Sequence, residues 1–309
     1  MEIINKDHPF LPSDEIAATI GFFDGVHTGH RFLIEQLKTE ANARKMPAMI
    51  ITFLQQPQSI LQHGFQPELL NSFNEKIEHL ALSGIDYCLP LNFTRLLSKM
   101  NAKDFIQKKL KKEWHVKLLI IGYDNHFGKK KAESFEDYVK YGNECGIETM
   151  IAKELPNFRV SSTHIRNCLL ERNIKEANHL LSYHYRLEGK IVEGDHWGKK
   201  IDFPTANLEL FEKNKIIPGE GAYATWVFIE KTKFAGMVYI GKRPTVSMHG
   251  KERIEVHLFN FSGNLYDQTL QLDFVDFLRE SRQFGNLEEL KKQLVNDKEM
   301  AMKILFSSF

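Results

Sequence analysis

Residues 21–30 read Gly-Phe-Phe-Asp-Gly-Val-His-Thr-Gly-His. The apolar run Ile16-Ala-Ala-Thr-Ile20 precedes them and Phe32-Leu-Ile-Glu-Gln-Leu37 follows. A buried strand therefore hands over to an amphipathic helix through glycines and two histidines, at the carboxyl end of a strand, where open α/β sheets bind their ligands. Three readings fit the histidines. They are polar residues at a helix start. They are two ligands of a zinc site, although the H-E-x-x-H helix is absent and no third ligand lies nearby in sequence. Or they donate hydrogen bonds to phosphate oxygens, which glycines admit close to the backbone and a helix N-terminus attracts.

The same alternation runs on to about Tyr185. Residues 48–53, 116–121 and 147–151 are apolar runs of strand length, and 30–43, 75–82, 102–110 and 135–145 carry helical stripes, the first with Leu33, Ile34, Leu37 and Ala41 on one face. Such a βαβ series predicts a parallel sheet covered by helices. After Arg186 the rhythm changes. Strand-length pieces at 187–192, 222–229, 234–240, 254–259 and 269–277 are punctuated by Gly194-Asp195, Pro218-Gly-Glu-Gly221 and Ser262-Gly-Asn264, which predicts a small antiparallel barrel. Leu287, Leu290, Leu294 and Ala301 predict a closing helix over about 287–304 that packs on it. A chain of 309 residues suits two domains, here expected at 1–184 and 185–309.

Lys plus Arg number 41 and Asp plus Glu 40, so there is no global field to hold a polyanion; nucleic acid is not an expected partner and any phosphate binding is local. Cys88, Cys145 and Cys168 show neither zinc spacing nor a disulfide framework. The first residues lack the basic start and apolar run of a signal peptide, and no apolar run approaches the roughly 18 residues of a membrane span. The expectation is a cytoplasmic protein without a membrane partner.

A second element, Val160-Ser-Ser-Thr-His-Ile-Arg166, leads into another predicted helix. Its hydroxyls either cap that helix or, with Arg166 one turn on, cradle a pyrophosphate. The two elements together resemble the nucleotidyltransferase superfamily: His27-Thr-Gly-His30 matches H-x-G-H, which binds ATP phosphates, and 161–166 matches S-S-T-x-x-R, which holds the β- and γ-phosphates. The resemblance implies a Rossmann-like domain in which His27, His30 and Arg166 serve transfer of AMP. It also implies that Gly21, Phe23, Asp24, Gly25, Gly29, Asp124, Ser161, Ser162 and Thr163 surround the ATP phosphates. Such transfer needs no covalent intermediate; it relies on positioning and on neutralising the departing pyrophosphate.

In the second half, Gly194-Asp-His-Trp-Gly-Lys-Lys200 precedes Phe203-Pro-Thr-Ala-Asn207, and Ile240-Gly-Lys-Arg-Pro-Thr245 precedes Arg253-Ile-Glu-Val-His-Leu-Phe259, with Leu265-Tyr266 and Phe277-Leu-Arg-Glu280 beyond. Taken singly these are turn chemistry. In this order they resemble riboflavin kinase, and the chain from about Thr19 to Met302 resembles the bacterial bifunctional riboflavin kinase/FAD synthetase family. The resemblance implies that Thr205 and Asn207 hold the Mg²⁺ that accompanies ATP, their oxygens being hard ligands. Gly194, Gly198 and Lys200 would then cover the phosphates, and Arg279 and Phe284 would meet the flavin. Glu255 would accept the proton of the riboflavin 5′-hydroxyl. Failing Glu255, the base would be a water or Asp273, expected on the neighbouring strand.

The chain departs from that pattern at Gln56, where Thr52-Phe-Leu-Gln-Gln-Pro57 lacks the histidine of T-F-x-P-H-P, and at Asn125 in Gly122-Tyr-Asp-Asn-His-Phe-Gly128. Asp202 stands where the family often has glycine, and Lys129-Lys-Lys131 is a solvated or phosphate-attracting run. The leading expectation is that ATP and riboflavin give FMN at the barrel, and ATP and FMN give FAD at the α/β domain. The alternative keeps the kinase and reduces the front domain to a regulatory nucleotide or flavin binder. An RNA-interacting module, the third class, is disfavoured by the balanced charge.

Overall fold

The unbroken apolar runs of the first half become parallel strands with both faces covered, which is why they lack polar alternation. The computed structural model of the chain describes residues 1–4, 15–62, 66, 68–122, 133–156, 160–192, 203–242, 252–263, 265 and 267–307. They divide into two units, Met1–Ser161 and Ser162–Phe309.

In the first unit β1 (Glu2–Ile3), β2 (Ile16–Ile20), β3 (Ala48–Phe53), β4 (Tyr87–Leu91), β5 (Val116–Ile121) and β6 (Glu148–Ile151) form a sheet in the order β1-β4-β3-β2-β5-β6. Every pairing is parallel. β3 and β5 flank β2, so the winding reverses at β2 and opens a crevice at its carboxyl end. Helices cover the sheet: α1 (Thr28–Ala43), α2 (Pro57–Leu61), α3 (Phe73–Ala81), α4 (Arg95–Ser98), α5 (Ala102–Asp104) running into a π-helical stretch Phe105–Glu113, and α6 (Phe135–Cys145). One face of the sheet packs Ile16, Ala18 and Ile20 against Phe105, Ile106 and Leu110. The other packs Ala17 and Ile50 against Ile34, Leu37 and Ala41 of α1 and Leu80 of α3. The stripe expected over 102–110 is thus helical, but mostly with π rather than α bonding.

The second unit opens with α7 (Ser162–Leu170) and α8 (Ile174–Leu181). The strands β7 (Tyr185–Val192), β8 (Ala206–Leu210), β9 (Gly221–Ile229), β10 (Thr232–Lys242), β11 (Glu252–Leu258) and β12 (Thr269–Arg279) then close into an antiparallel barrel, in the order β10-β11-β8-β7-β12-β9. The terminal helix α9 (Leu287–Phe306) packs Ala301 and Leu305 onto Ala224 and Met237. The division falls at Ser161/Ser162, not at the expected 184/185. The change of sequence period marks where strands begin, whereas long-range bonds decide where α7 and α8 belong. Asn178 of α8 donates to the Phe274 carbonyl and accepts from the Tyr185 amide (both 2.8 Å), and the Gly219 amide donates to the Leu169 carbonyl at 3.0 Å. β8 has no counterpart among the expected strands, because it starts within the P-T-A-N motif, which reads as a turn, and runs only three residues beyond it.

Closure between β7 and β8 depends on Gly189, where an added Cβ would meet the Glu209 carbonyl oxygen at 2.2 Å and the Leu210 Cα at 3.0 Å. Both are backbone atoms that cannot step aside, and a strand glycine at such an approach marks a packing need. Gly189→Ala should destabilise the second unit by about 1–3 kcal/mol, the usual cost of overpacking. Faster amide hydrogen exchange in β7 and β8, with unchanged exchange in β2 and β3, is the expected readout.

Candidate active sites

Between Ile20 and Thr28 the backbone of the first unit turns through left-handed geometry at Phe23 (φ 57°), Gly25 (φ 83°) and Val26 (φ 35°). Non-glycine residues hold such angles only where the surroundings over-determine them, at about 1–3 kcal/mol each. Here they do. Phe23 and Val26 are buried among Leu33, Ile34 and Ile50. The Gly21 amide donates to Ile51 at 3.0 Å and extends the sheet. Asp24 is buried, and its Oδ1 accepts from the amides of Leu70 (3.0 Å) and Asn71 (3.3 Å). Arg31 Nε donates to the Val26 carbonyl at 3.1 Å. Asp24 is thus a loop anchor facing the protein's own backbone.

His27 caps α1, its Nδ1 accepting from the His30 amide at 3.3 Å. In the neutral ring that leaves the proton on Nε2. His30 stacks on His27 with ring centroids 3.7 Å apart at 14°, and meets Phe23 edge-on at 5.2 Å. Burial first, then the charges of His27 and Lys76, push His30 well below the usual 6.5, so its ring is neutral. Its Nδ1 is buried without a hydrogen-bond partner among the described residues, as are Thr28 Oγ1 and Gln56 Oε1. Buried polar atoms left unpaired cost about 1–3 kcal/mol each, which a polar ligand would recover. At Gly29 an added Cβ would sit 2.9 Å from Val160 Cγ1 and 3.3 Å from the His27 ring, so only glycine allows this stack.

Ser161 closes the first unit and is exposed; Ser162, Thr163 and Arg166 lie on the first turns of α7 in the second unit, with Arg166 half-buried. Asp124 and Asn125, and likewise Gly194, Gly198, Lys200 and Asp202, fall outside the described residues.

In the barrel, Asn207 of β8 pairs with Glu255 of β11, and Glu255 with Tyr239 of β10. Alternation puts Arg253, Glu255 and His257 on one face. Thr205 Oγ1 donates to Glu255 Oε2 at 3.2 Å. Arg253 Nε lies 2.7 Å from Asn207 Oδ1 and 3.0 Å from Glu255 Oε1. His257 Nδ1 donates to the Pro204 carbonyl at 2.8 Å, and burial pulls its pKa down despite that bond. Thr205, Glu255 and His257 edge a cavity of about 320 Å³ whose walls include Phe203, Met237, Phe284, Leu287, Leu290 and Leu294, with Arg279, Arg282 and Asp297 also on the lining. It is a mostly apolar slot with a carboxylate and a hydroxyl at one wall.

Two expectations change here. Arg279 lines the cavity, but its Nε bonds both oxygens of Asp297 on α9 (3.0 and 2.9 Å) and its Nη2 lies 2.8 Å from Oδ2. Its guanidinium is committed to the helix, and Arg282, 4.7 Å over the Phe284 ring, is the cation closer to that wall. Asp273 is not on a strand beside β11. β12 lies between β7 and β9, and the Asp273 carboxylate takes Arg186 in a two-pronged pair (2.5 and 2.8 Å), so it is no substitute for Glu255. Arg253 and His257 went unassigned in sequence, although their spacing at two and two around Glu255 on a strand was the available signal. Asp297 gave none, being one acidic residue on an amphipathic helix.

Comparison with known families matches residues 12–164 to FAD synthetase and residues 181–305 to riboflavin kinase. The bifunctional riboflavin kinase/FMN adenylyltransferase of Escherichia coli K12 is 34% identical over 302 residues, 96% of each chain. That of Haemophilus influenzae is 34% identical over 94% of each. That of Listeria monocytogenes is 31% identical over 97% of this chain and 96% of its own. Among solved structures, one described as a macrolide-efflux protein from Streptococcus pneumoniae superposes with a TM-score of 0.86 at 29% identity, over 97% of this chain and 98% of that one. Efflux is said of that protein; among the described residues of this chain no helix is long and apolar enough to cross a membrane.

The depressed pKa of His30 has a signed consequence. Below 6.5 the unfolded chain takes up a proton that the folded ring refuses, so the first unit loses stability as pH falls through that value and keeps it above. The difference in unfolding free energy between about pH 5.5 and about pH 7.5 should shrink in His30→Gln, and the wild-type His30 ring should show the neutral pattern by NMR at pH 6.5.

Proposed function

The chain belongs to the bifunctional riboflavin kinase/FMN adenylyltransferase family, and we propose how its residues divide that chemistry. The protein transfers the γ-phosphoryl group of ATP to riboflavin, giving FMN, and the AMP part of ATP to FMN, giving FAD and pyrophosphate. Nothing favours a front unit reduced to a binder, since the FAD synthetase match runs through residues 12–164.

The observation that carries the kinase assignment is Glu255, held by Thr205 at 3.2 Å on the edge of the apolar cavity. The flavin ring occupies the cavity and its 5′-hydroxyl faces Glu255. As the hydroxyl oxygen bonds the γ-phosphorus and the bridge to ADP breaks, Glu255 takes the proton. The apolar walls, Phe284 among them, hold the ring and exclude water; Arg279 acts through Asp297 to fix α9 as one wall. The Thr205 hydroxyl and Asn207 carboxamide are hard oxygen donors, and the Asn207 oxygen and Glu255 already face the Arg253 guanidinium, so this set suits a cation. Mg²⁺ bound there would offset the charge of the ATP phosphates. Gly194, Gly198 and Lys200 are assigned to the nucleotide phosphates on resemblance alone.

In the first unit the nucleophile is an FMN phosphate oxygen, which attacks the α-phosphorus as the bond to pyrophosphate breaks. His27 and the neutral His30 donate to the phosphate oxygens from the start of α1, where the helix dipole also favours an anion. Ser161, Ser162, Thr163 and Arg166 are assigned to a pyrophosphate on resemblance alone. We assign the protein to the cytoplasm on its ATP use and its free Cys88, Cys145 and Cys168, and exclude nucleic acid on its balanced charge.

Protein incubated with riboflavin, ATP and Mg²⁺ should give FMN and then FAD on a chromatogram; FMN alone would limit the first unit to binding. Glu255→Gln keeps the shape but removes the base. Kinase kcat should fall about 10²–10⁴-fold, with Tm nearly unchanged and FAD synthesis from supplied FMN intact. Full kinase turnover in a folded Glu255→Gln protein overturns the base assignment and moves the proton to water.

A further inference from the structure

Lys76 sits on α3, outside the H-x-G-H and S-S-T-x-x-R motifs, and is buried to 4% exposure. Burying an ammonium is costly unless its donors are used, and these are. Nζ donates to the Phe22 carbonyl at 3.1 Å and to the Phe53 carbonyl at 2.7 Å. It also lies 4.3 Å from the centre of the Phe22 ring and 5.6 Å from that of Phe73. Phe53 ends β3 and Phe22 opens the turn after β2, so one ammonium joins the carboxyl ends of two adjacent central strands. Phe22 is followed at once by the left-handed Phe23, buried Asp24 and capping His27. The tie runs both ways, because Asp24 of the turn accepts from the amides of Leu70 and Asn71, just ahead of α3.

We infer that Lys76 is a positioning residue for adenylyl transfer: its ammonium, bonded to the Phe22 and Phe53 carbonyls, fixes the turn that carries His27 and His30, and the reaction requires it in the charged form. The inference rests on assigning FAD synthesis to the first unit, and it concerns a residue that touches neither substrate nor reacting atom.

The surroundings set where that charge is lost. Burial lowers the Lys76 pKa to about 8, against the opposing pull of Asp24 from the turn and Cys88 from β4. The Cys88 thiol is itself pushed up to about 12 by burial and stays neutral in this range, and His30 from α1 is neutral. Glu75, beside Lys76 on α3, accepts from the Ser72 amide at the helix cap. Asp24 is therefore the opposing charge. Above pH about 8 the amine keeps two N–H groups but loses both its charge and its attraction to the Phe22 ring.

The test follows FAD formation from FMN and ATP, and FMN formation from riboflavin and ATP, across pH in the full-length protein and in Lys76→Met and Lys76→Arg. In wild type, kcat for FAD formation should fall on an alkaline limb near pH 8 that FMN formation does not share. Lys76→Arg, whose guanidinium stays charged to far higher pH, should move that limb upward. Lys76→Met should lower FAD formation on the order of 10²-fold, the cost of misplacing catalytic groups by about 1 Å, and its residual activity should show no such limb. Unchanged FMN formation and circular dichroism would show that the variants are folded. No alkaline limb in wild type, the same limb in either variant, or FAD formation by folded Lys76→Met within about twofold of wild type overturns the inference. Absence of any FAD formation by wild type would instead remove the assignment on which it rests.

Discussion

A buried parallel strand ends in part-buried backbone carbonyls, and the first unit depends on how those carbonyls are satisfied. The Phe22 carbonyl takes the Thr52 hydroxyl at 3.1 Å as well as the Lys76 ammonium, and the Phe53 carbonyl takes the same ammonium. A hydroxyl would satisfy one oxygen; a cation with three N–H groups satisfies several acceptors at once and binds each more strongly than a neutral donor would. With both strand ends fixed, the next residues are free to adopt left-handed backbone, and α1 starts where its cap needs it. The glycines and histidines of residues 21–30 are therefore only half of the device. The other half is the piece of chain from Leu70 to Lys76, more than forty residues away.

The barrel arranges its polar groups by register. Asn207 is paired with Val192 of β7 on one side and Glu255 of β11 on the other, so the short β8 is the axis around which the polar set forms. Magnitudes separate two of its arginine pairs. The Arg253 and Glu255 side chains are 24% and 22% exposed, and a pair so open to water is worth about 0.2–1 kcal/mol once screened. Asp297 is 1% exposed against Arg279, and breaking such a pair leaves an uncompensated buried charge, at about 3–5 kcal/mol. The first pair is an arrangement of charge at the place of reaction. The second holds α9 against the barrel and so keeps the cavity closed on that side.

Local pattern made much of this legible. The strands at 48–53 and 116–121 are found at those bounds, because apolar runs between helical stripes have one stable fate in a covered sheet. His27 at a helix start and Glu255 on a strand were readable as motifs, since each placement depends on near neighbours along the chain. What sequence did not show depends on contacts between distant residues. The helices α7 and α8 join the second unit through Asn178, Leu169 and Gly219, and no helical stripe records which unit it will cover. Asp273 reads like any strand carboxylate until barrel order places it on β12, opposite Arg186. Lys76, buried on an amphipathic helix, looks in sequence like a solvated charge.

The two sites differ in kind because their nucleophiles differ. Riboflavin presents an alcohol, which must lose a proton as it is phosphorylated, and the second unit supplies a carboxylate on the rim of its cavity. FMN presents a phosphate whose second proton leaves near pH 6, so at neutral pH it is already an anion and needs no base. What adenylyl transfer needs is the opposite: donors that gather several anionic oxygens without a general base competing for protons. In the first unit the Asp24 carboxylate is accordingly bonded to backbone amides, the His30 imidazole is kept neutral by burial and by the charges of His27 and Lys76, and a helix N-terminus faces the crevice. The buried ammonium therefore acts twice, fixing the backbone of the turn and holding His30 in the form that donates without carrying charge.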